Sequence, residues 1–331
     1  MANPFRHEDQ FLVSKLQVKI YIIGYGHFGE SIVVLFMDGE NVFYSMLIDS
    51  YEVKCAKHTP YINKAVDLLN KNHVNKLDMI CWTHPHEDHT KGLGSIIKKK
   101  TDSDTIMIFP EFVQNNSADI IKLKSCNPDI INMLVRYSRE EMLTVIPIGV
   151  PKKRFTCVDD FTIVNIYDDT DSHEVNISAL TPQTHLLFPF VNSIKCPDVN
   201  DLSISLVVDV DGYRLYFGGD TTNEQISCCD KRILKSCKFI KLPHHGSDTA
   251  SKLLDYIPTQ LDGICTTIYH DNLPKENVIG WYKDRGEVYC TGNKTRRKEL
   301  DYYGIIEYEY KFDTPNDIEQ NVKLYNNAVQ L

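Results

Sequence analysis

The sequence predicts an α/β fold with four layers, an αββα sandwich in which two β-sheets pack face to face and helices cover the outer faces. Two observations indicate it. Each half of the chain carries a hairpin, because β-branched and aromatic runs flank the turn dipeptides Asp38-Gly39 and Asp211-Gly212. After each hairpin, short apolar strands alternate with segments of helical apolar spacing. Two sheets that each need one face covered by helices give four layers.

In the first half, runs of apolar residues predict strands, and apolar residues three or four apart predict helices. The expected strands are 18–23, 31–37, 42–48, 77–82 and 105–109. The expected helices are 60–74 and 91–100, with a dense polar loop at 83–90 between the strand 77–82 and the second helix. This order places a polar loop directly after a buried strand.

The middle of the chain is less regular, and the second half repeats the alternation. In the middle we expect helices at 118–124 and 130–137, strands at 143–148, 161–167 and 175–180, and a loop at 182–200. The second half is expected to contain strands at 202–210, 213–217, 239–242, 263–269, 287–291 and 304–310, with helices at 223–235, 249–256 and 275–284. No linker divides the chain, so we predict one domain over 1–331, with an insertion-prone region at about 110–199.

Composition limits the classes of function. The 331 residues are 42% hydrophobic and carry a net charge of −9, which is typical of a globular protein and not of one that binds nucleic acid through a general basic surface. The ten cysteines include no C-x-x-C pair and are expected to be reduced. No run approaches the roughly 18 apolar residues of a membrane span. We expect a cytoplasmic protein with no membrane partner.

Residues 22–31 read IIGYGHFGES and contain G-x-G-x-x-G after an apolar run. A dinucleotide-binding loop of this kind must open a helix, so that free N–H groups face the pyrophosphate. Here β-branched and aromatic residues follow, and the Asp38-Gly39 turn comes next. We therefore predict that the glycines let the chain bend sharply between two strands of a hairpin, and disfavour the dinucleotide alternative.

Residues 83–89 read THPHEDH and carry most of the chemical information. Imidazole and carboxylate together suit zinc, manganese or iron. With one residue between them, His84 and His86 can face one ion, while Asp88 and His89 can reach a second. A polar surface loop with incidental histidines is the alternative, and the density of ligand types after an apolar strand disfavours it.

This motif resembles that of the metallo-β-lactamase superfamily, and other segments extend the resemblance. Asp49 is similar to the buried acidic residue that closes the family's early hairpin. Asp220, in FGGD, resembles the carboxylate that bridges the two metals. Residues 242–247, LPHHGS, resemble the signature at the last ligand. The resemblance implies a four-layer αββα sandwich of the metallo-β-lactamase type.

The finer pattern resembles the metallohydrolase domain of bacterial competence (DNA-uptake) proteins and its stand-alone relatives. Residues 24–31 are similar to a lengthened form of the branch's V-G-x-G-[DE]-[AS] loop, and residues 200–203, NDLS, to its N-[ND]-x-S motif. Asn200 occupies the region where many superfamily members place a third histidine on the first metal. The two adjacent histidines, His244 and His245, are not distinguished: one is expected to bind the second metal and the other to contact substrate.

The resemblance implies a hydrolase with two divalent ions, zinc in preference to manganese, that share Asp220 and a bridging hydroxide. The metal ligands would come from His84, His86, Asp88, His89, Asp220, His244 and His245. Asp88, Asp220 and His270 are the expected catalytic residues, with His270 contacting the substrate or leaving group. Asp49, Asn200 and Ser247 are expected to support ligands or bind substrate.

A phosphodiester is the expected substrate, which makes the protein a phosphodiesterase or nuclease. DNA or RNA fits the competence-protein resemblance, whereas a cyclic nucleotide fits the acidic charge balance. A basic cluster at 294–298, KTRRK, is a candidate phosphate contact, although such a run is more commonly a solvated surface. The alternatives are a hydrolase of lactones, thioesters or phosphocholine esters on the same scaffold, and an inactive metal-binding scaffold that binds a partner. The oligomeric state stays open.

Overall fold

The fold is taken from a computed structural model that describes residues 7–11, 13, 15–54, 61–115, 128–139, 143–150, 162–168, 173–187, 190, 198–270, 272–293, 303–314 and 317–331. Within these residues the first sheet has nine strands, in the order β1 (His7–Phe11), β8 (Thr162–Asp168), β9 (Glu174–Ala179), β10 (Leu206–Val210), β11 (Tyr213–Phe217), β12 (Cys237–Lys241), β13 (Gly263–Thr266), β14 (Val288–Cys290) and β17 (Val329–Gln330). The second has eight, in the order β16 (Asp317–Asn326), β15 (Gly304–Thr314), β2 (Leu16–Gly24), β3 (Glu30–Asp38), β4 (Asn41–Ile48), β5 (Met79–Cys81), β6 (Ile106–Pro110) and β7 (Thr144–Ile148).

Helices form many of the connections between consecutive strands. The α-helices are Lys64–Lys71, Glu87–Thr90, Leu93–Lys100, Glu111–Asn115, Pro128–Arg139, Thr184–Leu187, Asn223–Ser227, Lys231–Leu234 and Glu276–Lys283. Short 3₁₀ segments span Val199–Leu202, Pro243–Gly246 and Asp248–Asp255. Among the described residues no helix is both long and apolar enough to cross a membrane.

Three buried clusters establish the layers. The first joins the facing sides of the two sheets, with Ile20 and Phe36 from the second sheet packed in the same cluster as Val208 and Leu215 from the first. The second cluster joins the outer face of the second sheet to the helices Lys64–Lys71, Leu93–Lys100 and Pro128–Arg139. The third joins the outer face of the first sheet to Asp248–Asp255 and Glu276–Lys283. The predicted four-layer αββα sandwich is confirmed.

The glycine-rich loop lies between two antiparallel strands, as expected. β2 ends at Gly24, β3 begins at Glu30, and the two strands pair along their whole length. A Cβ at Gly29 would lie 2.5 Å from the backbone oxygen of Asp88 and would overlap the Tyr51 ring. The glycine therefore permits a close approach between the hairpin loop and the loop that carries the histidine motif. No helix follows, so the dinucleotide alternative is wrong.

Several element predictions need correction. The helix expected at 223–235 is two helices, because Asp230 interrupts it and caps the second by accepting a hydrogen bond from the Arg232 amide. The stretch 182–200 is not all loop, since Thr184–Leu187 is helical. Strands β1, β16 and β17 were not predicted; the apolar residues Ile318, Val322 and Leu324, at even spacing among polar residues, are the signal for β16. The helix expected at 118–124 lies outside the described residues.

The parallel parts of the two sheets position the loops that matter most. β4, β5 and β6 run parallel in one sheet, and β11, β12, β13 and β14 run parallel in the other. Carboxyl ends of parallel strands meet at one edge of a sheet, which is where ligands bind in open α/β sheets. The loops after β4, β5, β11 and β12 carry Asp49, residues 83–89, Asp220 and His244-His245.

Candidate active site

The segments that follow β5, β11 and β12 bring six ligand-type side chains together, and Asp88 and His89 lie on the short helix Glu87–Thr90 where a loop was expected at 83–90. Asp88, His89, Asp220 and His245 form one group of potential ligands and His84, His86 and Asp220 form another, and in each group the ligand atoms lie within 4.8 Å of one another. Except for His86, all of these side chains are buried. Residues as far apart as Asp88 and His245, 157 positions in sequence, thus converge on one point, with Asp220 common to both groups.

In the first of these groups, called here the four-ligand group, the four separations between a carboxylate oxygen and an imidazole nitrogen are close to the edge length of a zinc tetrahedron. Asp88 Oδ2 lies 3.3 Å from His89 Nε2 and 3.2 Å from His245 Nε2. Asp220 Oδ1 lies 3.4 Å from His89 Nε2 and 3.7 Å from His245 Nε2. Ligand atoms about 2.0–2.1 Å from a tetrahedral zinc ion lie about 3.3 Å apart. These donor atoms therefore have the separations that a single ion requires.

The second group, called here the three-ligand group, faces the other oxygen of Asp220. His84 Nε2 lies 2.9 Å from His86 Nδ1 and 3.7 Å from Asp220 Oδ2. The carboxylate of Asp220 thus turns Oδ1 to the four-ligand group and Oδ2 to the three-ligand group. Such an arrangement is suited to a carboxylate that bridges two cations.

Hydrogen bonds behind the rings fix which nitrogen faces inward. His89 Nδ1 lies 2.7 Å from Asp49 Oδ2, so this nitrogen carries hydrogen and donates to the carboxylate. The Thr83 hydroxyl donates its hydrogen to Asp49 Oδ2 at 2.6 Å. Thr83 Oγ1 can then only accept a hydrogen bond from His84 Nδ1, which lies 2.9 Å away. In the neutral form of each ring, which is the form that binds a metal, Nε2 is therefore the lone-pair atom, and it faces Asp220. Asp49 thus contacts both the Thr83 backbone and the His89 ring; its role as a support for ligands stays a prediction.

Two buried atoms at the centre have no hydrogen-bond partner within the part of the chain that the structure describes. They are His89 Nε2 and Asp220 Oδ1, which lie 3.4 Å apart. Buried polar atoms without partners are rare in native proteins, and a bound ion or water molecule can satisfy them. Since both atoms belong to the four-ligand group of imidazole and carboxylate donors, the residues present fit a divalent cation.

The imidazoles of the two groups differ in charge when no ion is bound. Burial lowers the pKa of His84 well below its ordinary value and also lowers the pKa of His86, so both are neutral at neutral pH. Burial acts in the same direction on His245, but the carboxylates of Asp220 and Glu30 outweigh it and raise its pKa to about 9. The three-ligand group is thus already deprotonated for a metal, whereas His245 carries a proton.

The other members of the four-ligand group form the matching ion pairs. Burial lowers the pKa of His89, but Asp88, Asp220 and Asp49 together raise it well above its ordinary value. Burial raises the pKa of Asp220, but His89 and His245 hold it well below the ordinary range. The protons on His89 and His245 therefore compensate the carboxylates, and a cation at the same place would replace them.

The turn that carries the last histidines has an unusual backbone. His244, His245 and Gly246 have φ values of 48°, 51° and 80° in succession. For residues with a Cβ this left-handed conformation costs about 1–2 kcal/mol each. A Cβ at Gly246 would also lie 2.8 Å from Pro274 Cβ. Strain of this kind concentrates at functional sites, where the surrounding structure holds it in place.

His244 and His245 occupy different places. His245 is buried within the four-ligand group. His244 is partly exposed; its Nε2 lies 3.9 Å from Asp220 Oδ2, and its Nδ1 lies 2.8 Å from Thr249 Oγ1. Ser247 caps the following 3₁₀ segment by accepting from the Thr249 amide. The Thr249 hydroxyl also donates to Ser247 Oγ at 3.1 Å, so Ser247 is linked to His244 through Thr249.

Two further predicted site residues lie outside the two ligand groups. Asn200 is on Val199–Leu202, and its Oδ1 is buried without a hydrogen-bond partner among the described residues. His270 is exposed, has a φ of 43°, and its amide donates to the backbone oxygen of His27 at 3.3 Å. Their roles stay predictions. The basic cluster at 294–298 lies outside the described residues.

Sequence reasoning missed several residues that touch the site. The Tyr269 ring stacks on His245, with centroids 4.5 Å apart and an angle of 19° between the planes. Ser203 Oγ accepts from the Asp220 amide at 2.8 Å. Glu30 and Lys241 form a buried ion pair beside His245. Glu30 and Ser203 had signals, since Glu30 occupies the acidic position of the glycine-loop pattern and Ser203 is the serine of the NDLS motif; the single residues Lys241 and Tyr269 had none.

Comparisons with known proteins give limited likenesses. No family model matches the chain, and no curated protein matches it. Among solved structures, a new diphosphatase from the PhnP family is similar with a TM-score of 0.39 and 11% identity, covering 78% of this chain and 90% of that chain. Zn(2+)-bound PqqB from Methylobacterium extorquens is similar with a TM-score of 0.41 and 9% identity, covering 80% of this chain and 96% of that chain. At such scores, the function has to be inferred from this chain's own residues.

Proposed function

We propose that the protein is a dinuclear metal-dependent hydrolase that cleaves phosphodiesters. The observation that carries the proposal is the orientation of Asp220, whose Oδ1 faces the four-ligand group and whose Oδ2 faces the three-ligand group. A structural zinc site needs only one closed set of ligands. Two sets that share a carboxylate are instead the arrangement of two-metal hydrolytic centres.

Zinc is the preferred ion and manganese the alternative, since each group mixes imidazole with carboxylate. When bound, two such ions polarise a phosphoryl oxygen and lower the pKa of a water molecule towards neutrality. The three-ligand group has one donor fewer than the four-ligand group, which leaves room for water or substrate on that side. His244, partly exposed beside Asp220 Oδ2, is the candidate for contacting a substrate there.

The residues of the site divide the work. Asp49 and Thr83 hold the rings of His89 and His84 so that Nε2 faces inward. Burial of these rings excludes water from the ligand side of the cluster. The exposed His270 remains the candidate for contacting the leaving group. Asn200, with a buried oxygen that no described residue satisfies, is the candidate acceptor for a substrate or water hydrogen.

A phosphodiester is favoured over a neutral ester because its anionic oxygens match a centre built for two cations. The resemblance to the competence-protein branch favours DNA or RNA, and the net charge of −9 favours a smaller diester such as a cyclic nucleotide. The dependence of binding on salt distinguishes them: affinity for a long polyanion falls steeply between low and moderate salt, whereas affinity for a cyclic nucleotide changes little.

The proposal is tested with metal-free protein reconstituted with zinc or manganese. The substrates are bis-nitrophenyl phosphate, single-stranded DNA, RNA, cyclic nucleotides, a lactone, a thioester and a phosphocholine ester. We expect turnover of at least one phosphodiester that disappears on chelation and returns with two equivalents of metal. Turnover of neutral esters alone would refute the phosphodiester assignment. Two bound ions without turnover of any substrate would favour the scaffold alternative.

A further inference from the structure

A buried ion pair lies on the far side of His245 from the ligand groups. Glu30 begins β3 in the second sheet and Lys241 ends β12 in the first, 211 positions later. Lys241 Nζ lies 2.9 Å from each oxygen of the Glu30 carboxylate, and the side chains are 0% and 1% exposed. The pair therefore joins the two sheets directly beneath the turn that carries His245.

The pair contacts His245 both directly and through a hydroxyl group. Thr267, which follows β13, donates a short hydrogen bond from Oγ1 to Glu30 Oε2. His245 Nδ1 lies 2.7 Å from Thr267 Oγ1 and 3.1 Å from Glu30 Oε2. Lys241 also donates to the Leu242 carbonyl at 3.3 Å, at the start of the turn. The side chains of Glu30, Lys241, Thr267 and His245 are all buried.

Counting hydrogens in this network assigns the tautomer of His245. Thr267 has one hydroxyl hydrogen, and Glu30 receives it. The Thr267 oxygen can then only accept from His245 Nδ1, and Glu30 Oε2 is a second acceptor for the same N–H. Nδ1 therefore keeps its hydrogen. Nε2 is the atom left to bind a cation, and it is the atom that faces Asp88 and Asp220.

We propose that Glu30, Lys241 and Thr267 form a positioning unit that fixes the ring of His245, with Nε2 directed into the four-ligand group. The inference rests on the proposed function, because it assigns the unit a role in holding the second ion. Lys241 holds the Glu30 carboxylate through the ion pair, Glu30 Oε2 and Thr267 Oγ1 accept from His245 Nδ1–H, and His245 Nε2 is left to bind the ion. Outer partners of this kind orient a metal-binding histidine and fix its tautomer.

A purely structural role is the competing interpretation, since the pair also joins two sheets. The two roles differ in what they change. A purely structural pair alters the stability of the fold and leaves the metal affinity of the folded protein unchanged. A positioning unit alters affinity for the ion at the four-ligand group, with the three-ligand group unaffected.

The test measures zinc affinity by competition with chelators of known strength, for both ions, in full-length variants. Thr267→Val removes the hydroxyl while keeping the shape of the side chain, and Thr267→Ser restores it. Thr105→Val is the matched control, because Thr105 is equally buried and its hydroxyl donates to the Leu77 carbonyl at 2.7 Å, away from His245. Glu30→Gln combined with Lys241→Met is the second variant, and it removes both charges together.

We expect Thr267→Val to weaken the affinity for one zinc ion roughly 10–100-fold and to leave the affinity for the other unchanged. Thr267→Ser should recover the wild-type affinity. Thr105→Val should bind both ions as the wild type does. Thermal unfolding identifies any variant that fails to fold. The test is complete if either Thr267→Val or the double variant Glu30→Gln with Lys241→Met folds. Unchanged affinity in a folded variant overturns the positioning role and leaves the proposed function intact. Wild-type protein that binds no zinc overturns both.

Discussion

Replacing Lys241 by methionine removes the closest cation of the buried Glu30 carboxylate and leaves it with His245 Nδ1 at 3.1 Å. At 2.9 Å the attraction between the two charges is about 6 kcal/mol for an effective dielectric constant of about 20. The carboxyl group can avoid most of this loss of free energy by taking up a proton. From an unperturbed pKa of about 4.3, protonation at pH 7 costs about 3.7 kcal/mol. We therefore expect a loss of about 3–5 kcal/mol in the free energy of unfolding, as for other broken buried pairs.

The loss in the free energy of unfolding of Lys241→Met should become smaller as the pH falls. In the wild type, burial raises the pKa of Glu30, but Lys241 and His245 outweigh it and hold the pKa well below the ordinary value, so the group contributes no slope near neutrality. In the variant the folded pKa lies above the unfolded one, so the folded protein binds the extra proton. Its stability deficit should shrink by about 1.4 kcal/mol per unit as the pH falls from 7 towards 5.

Urea unfolding at 25 °C, from pH 5 to pH 8, measures both quantities for the variant relative to the wild type. Lys311→Met is the control: its ion pair with Glu319 is 2.8 Å long but exposed, and its loss should cost at most about 1 kcal/mol. A deficit below about 1 kcal/mol at pH 7 for Lys241→Met, or one that stays constant down to pH 5, would refute the view that Lys241 keeps a buried carboxylate charged.

Three further changes test other parts of the site. Asp220→Ala removes the carboxylate shared by both ligand groups, so metal analysis should find fewer than two ions and turnover should vanish; undiminished hydrolysis would contradict the bridging role. Gly246→Ala places a Cβ at a φ of 80° and 2.8 Å from Pro274, so urea unfolding should show a loss of about 1–3 kcal/mol. Zinc binding at pH 7 should release protons, because carboxylates hold the pKa of His245 at about 9 and that of His89 well above its usual value; calorimetry in buffers of different ionisation enthalpy measures the release, and none would be expected if these rings stayed protonated.

The layers of the fold were predictable from sequence because their causes are local. Hairpin turns at Asp38-Gly39 and Asp211-Gly212 and the alternation of apolar strands with helices define two sheets with outer helices. Helix ends were less predictable. The break at Asp230 depends on a single capping side chain, which competes with an apolar pattern that continues through it. The strand β16 depends on pairing with β15 and carries a largely exposed, polar sequence.

For the candidate site, sequence patterns predicted the residues of the motifs and Asp49 behind them, and missed Glu30, Lys241 and Tyr269 beside His245. The groups at 84–89, Asp220 and His245 come together as expected, and Asp49 lies behind His89. The choice between His244 and His245 required the turn geometry, because adjacent residues with positive φ point in directions that spacing does not define. Glu30 and Lys241 are 211 positions apart and come into contact only when the two sheets pack. No local sequence pattern therefore predicts their pairing.

The most direct measurement is zinc anomalous diffraction from crystals of the wild-type protein grown with excess zinc. We predict two peaks, one bonded to Asp220 Oδ1 with Asp88, His89 and His245, and the other bonded to Asp220 Oδ2 with His84 and His86. A single peak that lacks Asp220, or rings of His89 and His245 turned away from an empty centre, would contradict the bridging role of Asp220.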